Sequence, residues 1–178
     1  MHRRFVLALS LAAVVAVSVP PERHATAQAP ASRAEAIADA IVGVWMLVSV
    51  TSEREGTRSQ PFGPNPKGIM VFTRDGHFSL FQSTAELPRL AANDRARATP
   101  DEATTIIRDS IAYFGTYTVD EAARSLSVTI EASTYANLLG PPQRRIITVL
   151  SPTDLEFSNP RTPSGMTLHT VWRRAPSR

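Results

Sequence analysis

The chain has no cysteine in its 178 residues. This excludes disulfides, thiolate metal sites and a thiol nucleophile, and also a lipid anchor of the bacterial type, which is built on a cysteine at the cleavage site. Histidine is scarce. Of His2, His24, His77 and His169, only the last two lie beyond the N-terminal segment. There is no strong excess of charge either. The formal charge is +3, and Arg3, Arg4 and Arg23 against Glu22 account for +2 of it within residues 1–27, leaving +1 for the rest. A nearly neutral domain with scattered arginines gives no electrostatic case for binding nucleic acid. Beyond the N-terminus no apolar run is long enough to span a bilayer, which takes roughly 20 residues.

The N-terminus has a definite order. Met1-His2-Arg3-Arg4 is basic, Phe5 to Val19 is apolar or small, and Ala25-Thr26-Ala27 is a small-x-small site. That order predicts a secretion signal over residues 1–27, cleaved after Ala27, with Ala29 as the second choice. The protein is then periplasmic or secreted, with no integral membrane span after cleavage. A spacer and the start of a short N-terminal helix fill 28–39, the helix running from Arg33 to Val42. A single domain occupies 40–174, long enough to bury a core without disulfides.

Within that domain the dominant period is two. Strands are predicted at Trp45–Thr51, Gly68–Thr73, His77–Gln82, Ala112–Val119, Leu126–Glu131, Arg145–Leu150, Leu155–Ser158 and Met166–Arg173. Arg74-Asp75-Gly76 reads as a hairpin turn, with Gly76 supplying the positive φ such turns need. Thr99-Pro100-Asp101-Glu102 starts a helix of about ten residues: Thr caps, Pro takes the first helical position and Glu lies three residues after the cap. Residues 85–98 before it are polar and Ala-rich, either helical or mobile. The prediction is all-β: an eight-stranded antiparallel up-and-down barrel, with a short N-terminal helix and one helix inserted between strands 3 and 4. Closure removes exposed strand edges. An eight-stranded interior holds side chains or one small ligand.

No catalytic set stands out. His77 and His169 with a carboxylate could frame a metal site, but His77 opens a strand beside a turn and reads as exposed; no metal and no cofactor is expected. Pro163-Ser164-Gly165 is not a nucleophile elbow, which needs Gly-x-Ser-x-Gly between a strand and a helix. Glu131 lies out of phase with its apolar neighbours, so it faces solvent or, on a sharper reading, joins Arg145 and Tyr117 in a polar cluster inside the barrel. Inside, a carboxylate requires a partner, because burial of an unpaired charge costs several kcal/mol.

Gly43-Val44-Trp45, after a short helix and at the first of eight strands, resembles the Gly-x-Trp start of lipocalins. Pro61-Phe62-Gly63-Pro64-Asn65-Pro66-Lys67-Gly68, Phe72-Thr73, Asp75-Gly76, Ala112 to Tyr117, Val119-Asp120, Glu131-Ala132-Ser133, Asn137, Gly140 and Gln143 to Arg145 resemble the bacterial and fungal lipocalin-like domain family. The resemblance covers about residues 40–174. It implies that Trp45 closes one barrel end and stacks under an arginine at the end of the last strand, Arg173 or Arg174, with Gly43, Gly76 and Arg173 as structural positions. The chain departs from the family where members often carry His before the Glu131 position and Trp after the Asn137 position; it has Val128, Thr129 and Leu138 there.

The leading expectation is therefore a binding protein that holds a small hydrophobic or amphipathic molecule. The residues expected at the ligand are Trp45, Phe72, Phe78, Tyr113, Tyr117, Glu131, Tyr135, Arg145 and His169. A second is a barrel enzyme of the isomerase or cyclase type, with Glu131, Tyr117 or Arg145 giving acid–base help to a substrate held in a reactive shape. A third is a structural envelope protein with a filled barrel.

Overall fold

The computed structural model describes residues 36–176. The expected signal sequence, the spacer up to residue 35 and the start of the N-terminal helix lie outside the described residues. Nine strands are present: β1 Gly43–Arg54, β2 Thr57–Ser59, β3 Lys67–Phe72, β4 His77–Ser83, β5 Ser110–Asp120, β6 Ser125–Ser133, β7 Gln143–Leu150, β8 Asp154–Asn159 and β9 Thr167–Arg174. All ladders are antiparallel, the order is β2-β1-β3-β4-β5-β6-β7-β8-β9, and β1 also pairs with β9. The sheet thus closes on itself through β1, β3 and the strands after it, an eight-stranded barrel, while β2 lies against the far half of β1 with Ser52 opposite Ser59.

β2 is the strand the sequence did not predict. Its three residues are all exposed, so no apolar alternation marks it. The helix expected between strands 3 and 4 is α2, Pro100–Asp109; with β2 counted it lies between β4 and β5. Thr99 and Glu102 form the reciprocal capping box at its start. The N-terminal helix is shorter than expected among the described residues, a single turn at Ile37–Ala40 (α1). Segment 84–99 carries no α-helix; it has one 3₁₀ turn at Arg95–Arg97.

Alternation fills the interior. Phe78 and Leu80 on β4, Leu126, Val128 and Ile130 on β6, and Leu155 and Phe157 on β8 are buried, while their in-between neighbours Ser79, Ser127 and Thr129 are exposed. Phe72 packs edge-on against Tyr117 at 4.9 Å, and Phe78 edge-on against Tyr113 at 5.9 Å.

One end of the barrel is tightly turned. Its connections are the hairpin after Phe72, residues 121–124, and residues 151–153. Gly76 has φ +87° as the hairpin requires. Trp45 and Trp172 are fully buried there, and α1 lies over them with Ile37 and Ile41 also buried. The helix has no cap of its own; the Glu121 carboxylate supplies it, accepting from the N–H groups of Ile37 at 3.0 Å and Ala38 at 2.9 Å. At the other end of α1 the indole N–H of Trp45 donates to the Ile41 carbonyl at 2.8 Å. The Arg174 guanidinium lies 4.1 Å from the centre of the Trp45 ring and donates to the carbonyls of Ala40, Val42 and Pro152 at 2.5, 2.9 and 2.7 Å.

The stacking arginine is therefore Arg174. Arg173, the expected structural position, is exposed and faces Asp154 at 3.5 Å. The reason is phase: Trp172 points inward, so Arg174 two residues on does too, and Arg173 points out. Gly43 makes the stack possible. Its φ is +132°, and a Cβ there would stand 2.7 Å from Nη1 of Arg174.

Candidate functional site

The long connections gather at the opposite end: residues 55–66 with β2, 84–109 with α2, 134–142, and 160–166. Between them lies a cavity of about 90 Å³. Its apolar wall includes Phe62, Leu80, Tyr113, Phe157 and Leu168, and its polar groups include Gln82, Gln143, Arg145, Asn159 and Thr170. Deeper in, around Met70, Phe72, Phe78 and Val128, only about 10 Å³ is empty. The barrel is thus packed solid toward Trp45 and hollow toward the mouth.

The polar groups reach the cavity because they sit in phase with the apolar residues of their strands. Gln82 continues Phe78 and Leu80; Asn159 continues Leu155 and Phe157; Thr170 lies between Leu168 and Trp172. All three are buried.

Arg145 is the one charged side chain in the buried class among the described residues, 5% exposed. Its guanidinium donates to the Gln143 side-chain oxygen at 3.0 Å and to the Arg144 carbonyl at 3.3 Å. Among the described residues it has no ion-pair partner. Gln143 is itself held, donating to the Leu138 carbonyl at 2.8 Å. On the neighbouring strand the register runs Ile147↔Phe157, Ile146↔Ser158, and Arg145 and Asn159 are each the next residue beyond that last pair. The Asn159 side-chain oxygen is buried with no hydrogen-bond donor among the described residues.

The nine expected ligand residues fall into four groups. Tyr113 and Arg145 line the mouth cavity. Phe72 and Phe78 belong to the filled interior. Trp45 and Tyr117 belong to the closed end: Trp45 plugs it, and the Tyr117 hydroxyl donates to the Thr73 carbonyl at 2.8 Å, with burial pushing its pKa up. The remaining three are outside. Glu131 is exposed, because it is out of phase with Val128 and Ile130. His169 is half-exposed on the outer face, with Nε2 3.9 Å from Glu53. Tyr135 is 41% exposed beyond the end of β6, beside α2. Glu131, Tyr117 and Arg145 are consequently not assembled into one acid–base cluster. Gln82, Gln143 and Asn159 were missed, though the apolar phase of β4 and β8 would have found two of them.

Outside the cavity, Phe62 and Ile111 also border a cleft of about 580 Å³ beneath α2, walled by Ile106, Ile107 and Tyr135. α2 has no buried residue, and Ile107 is 70% exposed, so its apolar face fills nothing in the core. Among the described residues no helix is long and apolar enough to cross a membrane.

A family model described as a lipocalin-like domain matches residues 42–174. No curated protein matches the chain. A lipocalin-like protein from Bacteroides uniformis ATCC 8492 is 14% identical, with 76% of this chain and 99% of that chain covered and a TM-score of 0.41. Bovine odorant-binding protein, solved with a selenium-containing odorant, is 16% identical over 84% of this chain and 80% of that one, with a TM-score of 0.41. A de novo designed fluorescence-activating β-barrel is 12% identical over 78% of this chain and 96% of its own, with a TM-score of 0.39.

Proposed function

Because the chain belongs to the lipocalin-like domain family, we propose that it is an exported barrel that holds a small hydrophobic or amphipathic molecule at its mouth. One observation carries the reading: a cavity whose walls are mostly apolar and whose few polar groups converge from β4, β7, β8 and β9. Such a mixture is what small-molecule sites are made of, apolar area for affinity and a few placed polar groups for orientation. Export is supported by the basic, apolar, small-x-small order of residues 1–27.

Titration with the neutral apolar probe N-phenyl-1-naphthylamine tests it. Saturable, blue-shifted fluorescence is expected, displaced by whatever mass spectrometry finds co-purifying with the protein. A probe signal that is absent, or that survives a bulky Leu168→Trp plug at the mouth, would overturn the reading.

A second reading, a structural envelope protein, is favoured by one feature of the outer face. Met46, Ile69 and Phe81 lie side by side in register on β1, β3 and β4, and all are exposed. Under that reading an apolar row is what the fold presents, and the cavity has no occupant. Concentration-dependent self-association, abolished by Phe81→Ser in a protein that binds no probe, would favour it over ligand binding.

A further inference from the structure

The mouth cavity contains two neighbouring groups with opposite unmet needs. Arg145 brings a buried positive charge with no ion-pair partner among the described residues. Asn159, 7% exposed, brings an oxygen with no donor among the described residues. A buried charge without a counter-charge and a buried acceptor without a donor are each costly, and native interiors rarely keep both. They stand on adjacent strands, each one residue past the last paired positions Ile146 and Ser158, and both border the same space. A single small molecule can satisfy them together if it carries an anion for the guanidinium and, one or two atoms away, a hydroxyl for the amide oxygen.

We propose that the cavity is a site for a hydroxycarboxylate. Its carboxylate pairs with Arg145, and its hydroxyl donates to Asn159. This rests on the ligand-binding reading above and names the chemical class. The size of the cavity agrees with a head group rather than a whole lipid. About 90 Å³ is smaller than the ~150 Å³ engineered cavity that accepts benzene, so by proportion it holds roughly four non-hydrogen atoms: the carboxylate and the carbon beside it, with the hydroxyl at the edge. An alkyl chain on that head leaves past Phe62 and Ile111, which border both the cavity and the cleft under α2. The exposed apolar face of α2 then has an occupant.

Calorimetric titration of the full-length protein with octanoate, 2-hydroxyoctanoate and 1,2-octanediol separates the parts. The hydroxyacid is expected to bind about tenfold more tightly than octanoate, and octanoate about tenfold more tightly than the diol. Arg145→Met should abolish the preference for acids over the diol. Asn159→Leu should abolish only the preference for the hydroxyl. Equal binding of all three compounds by the wild type, or an acid preference that persists in Arg145→Met, overturns the proposal. The wild-type ranking alone decides if either variant fails to fold. The neutral probe distinguishes the two levels of failure. If it binds and the acids gain nothing, the hydroxycarboxylate is wrong and the pocket stands; if nothing binds, the pocket is wrong as well.

Discussion

The two ends of the barrel are made from the same strands and treat polar atoms in opposite ways. At the closed end the groups brought inside find partners within the chain. The Trp45 indole has the Ile41 carbonyl, Arg174 has three backbone carbonyls and an aromatic face, and the Tyr117 hydroxyl has Thr73. One exception stands there, the buried Trp172 indole N–H, which has no acceptor among the described residues. At the mouth, Arg145 and Asn159 are inside without, among the described residues, a counter-charge and a donor respectively. Arg174 spends its donors on the chain and is a fastener; Arg145 has donors to spare beside a hollow.

The contrast is broken most severely at Trp45. Trp45→Ala opens a large void in a filled end and is expected to cost about 3–5 kcal/mol. Leu168→Ala at the mouth, on a side chain already bordering a hollow, should cost about 1–2 kcal/mol. Urea denaturation compares the two directly, and equal losses would mean that the mouth is packed as tightly as the plug.

Gly43→Ala comes next, at about 2–3 kcal/mol, since it combines a φ that side chains avoid with a contact onto Arg174. The two causes separate in a double variant. With Arg174→Met present, the contact is relieved and the loss from Gly43→Ala should shrink by about 1 kcal/mol. Strict additivity would say that backbone conformation is the whole effect and that Gly43 makes no room for the guanidinium.

Arg145→Met reverses the sign. Replacing an arginine that lacks a counter-charge with an apolar side chain of similar length is expected to raise the stability of the ligand-free protein by about 1–2 kcal/mol. Arg174→Met should lower it by about 2–3 kcal/mol, because three backbone carbonyls, two of them part-buried, lose their donor and the Trp45 ring loses its stacked cation. Thermal melts of the pair give opposite shifts if the two ends differ as described. Shifts of the same sign would make Arg145 another fastener.

Much of this architecture is legible in the amino-acid order, and the exceptions share a cause. The strands, the Asp75-Gly76 hairpin and the Thr99–Glu102 capping box are local patterns, and each forms where the sequence places it. β2 escapes because three exposed polar residues have no period. The sharper reading of Glu131 joins it to Arg145, because a carboxylate inside a barrel needs a partner, yet strand phase divides them and the solvent-facing reading is the one that holds. Glu131 follows Ile130 and falls outward; Arg145 is two residues before Ile147 and falls inward. On β7 that phase was hard to see, because Ile146, Ile147, Val149 and Leu150 are nearly continuous and the pairing with β8 slips between Ile147 and Val149. The mouth polar residues were overlooked for the opposite reason: on β4 and β8 they continue a clean apolar phase, and a polar residue there is the mark of a lined cavity. The cap that Glu121 provides for α1 spans 84 residues, beyond any local pattern.

The smallest expected effect lies in the closed-end turns, where Asp75 and Asp154 both titrate below the ordinary 3.8. For Asp75 the first cause is the Thr73 hydroxyl, followed by His77; for Asp154 it is the Thr153 hydroxyl. A carboxylate whose folded pKa is depressed stabilises the fold fully above its unfolded value near 3.8, and that contribution is lost as pH falls through the lower folded value. Acid should therefore loosen these turns only below about pH 4. Thr73→Ala removes the leading cause for Asp75, so its pKa should return toward 3.8 while that of Asp154 stays depressed. Carboxyl carbon NMR across pH 2–5 reads both groups in one sample. If Asp75 in the wild type already titrates at its ordinary value, the turn is held by Gly76 and the ladder alone, and the carboxylate adds nothing to the closed end.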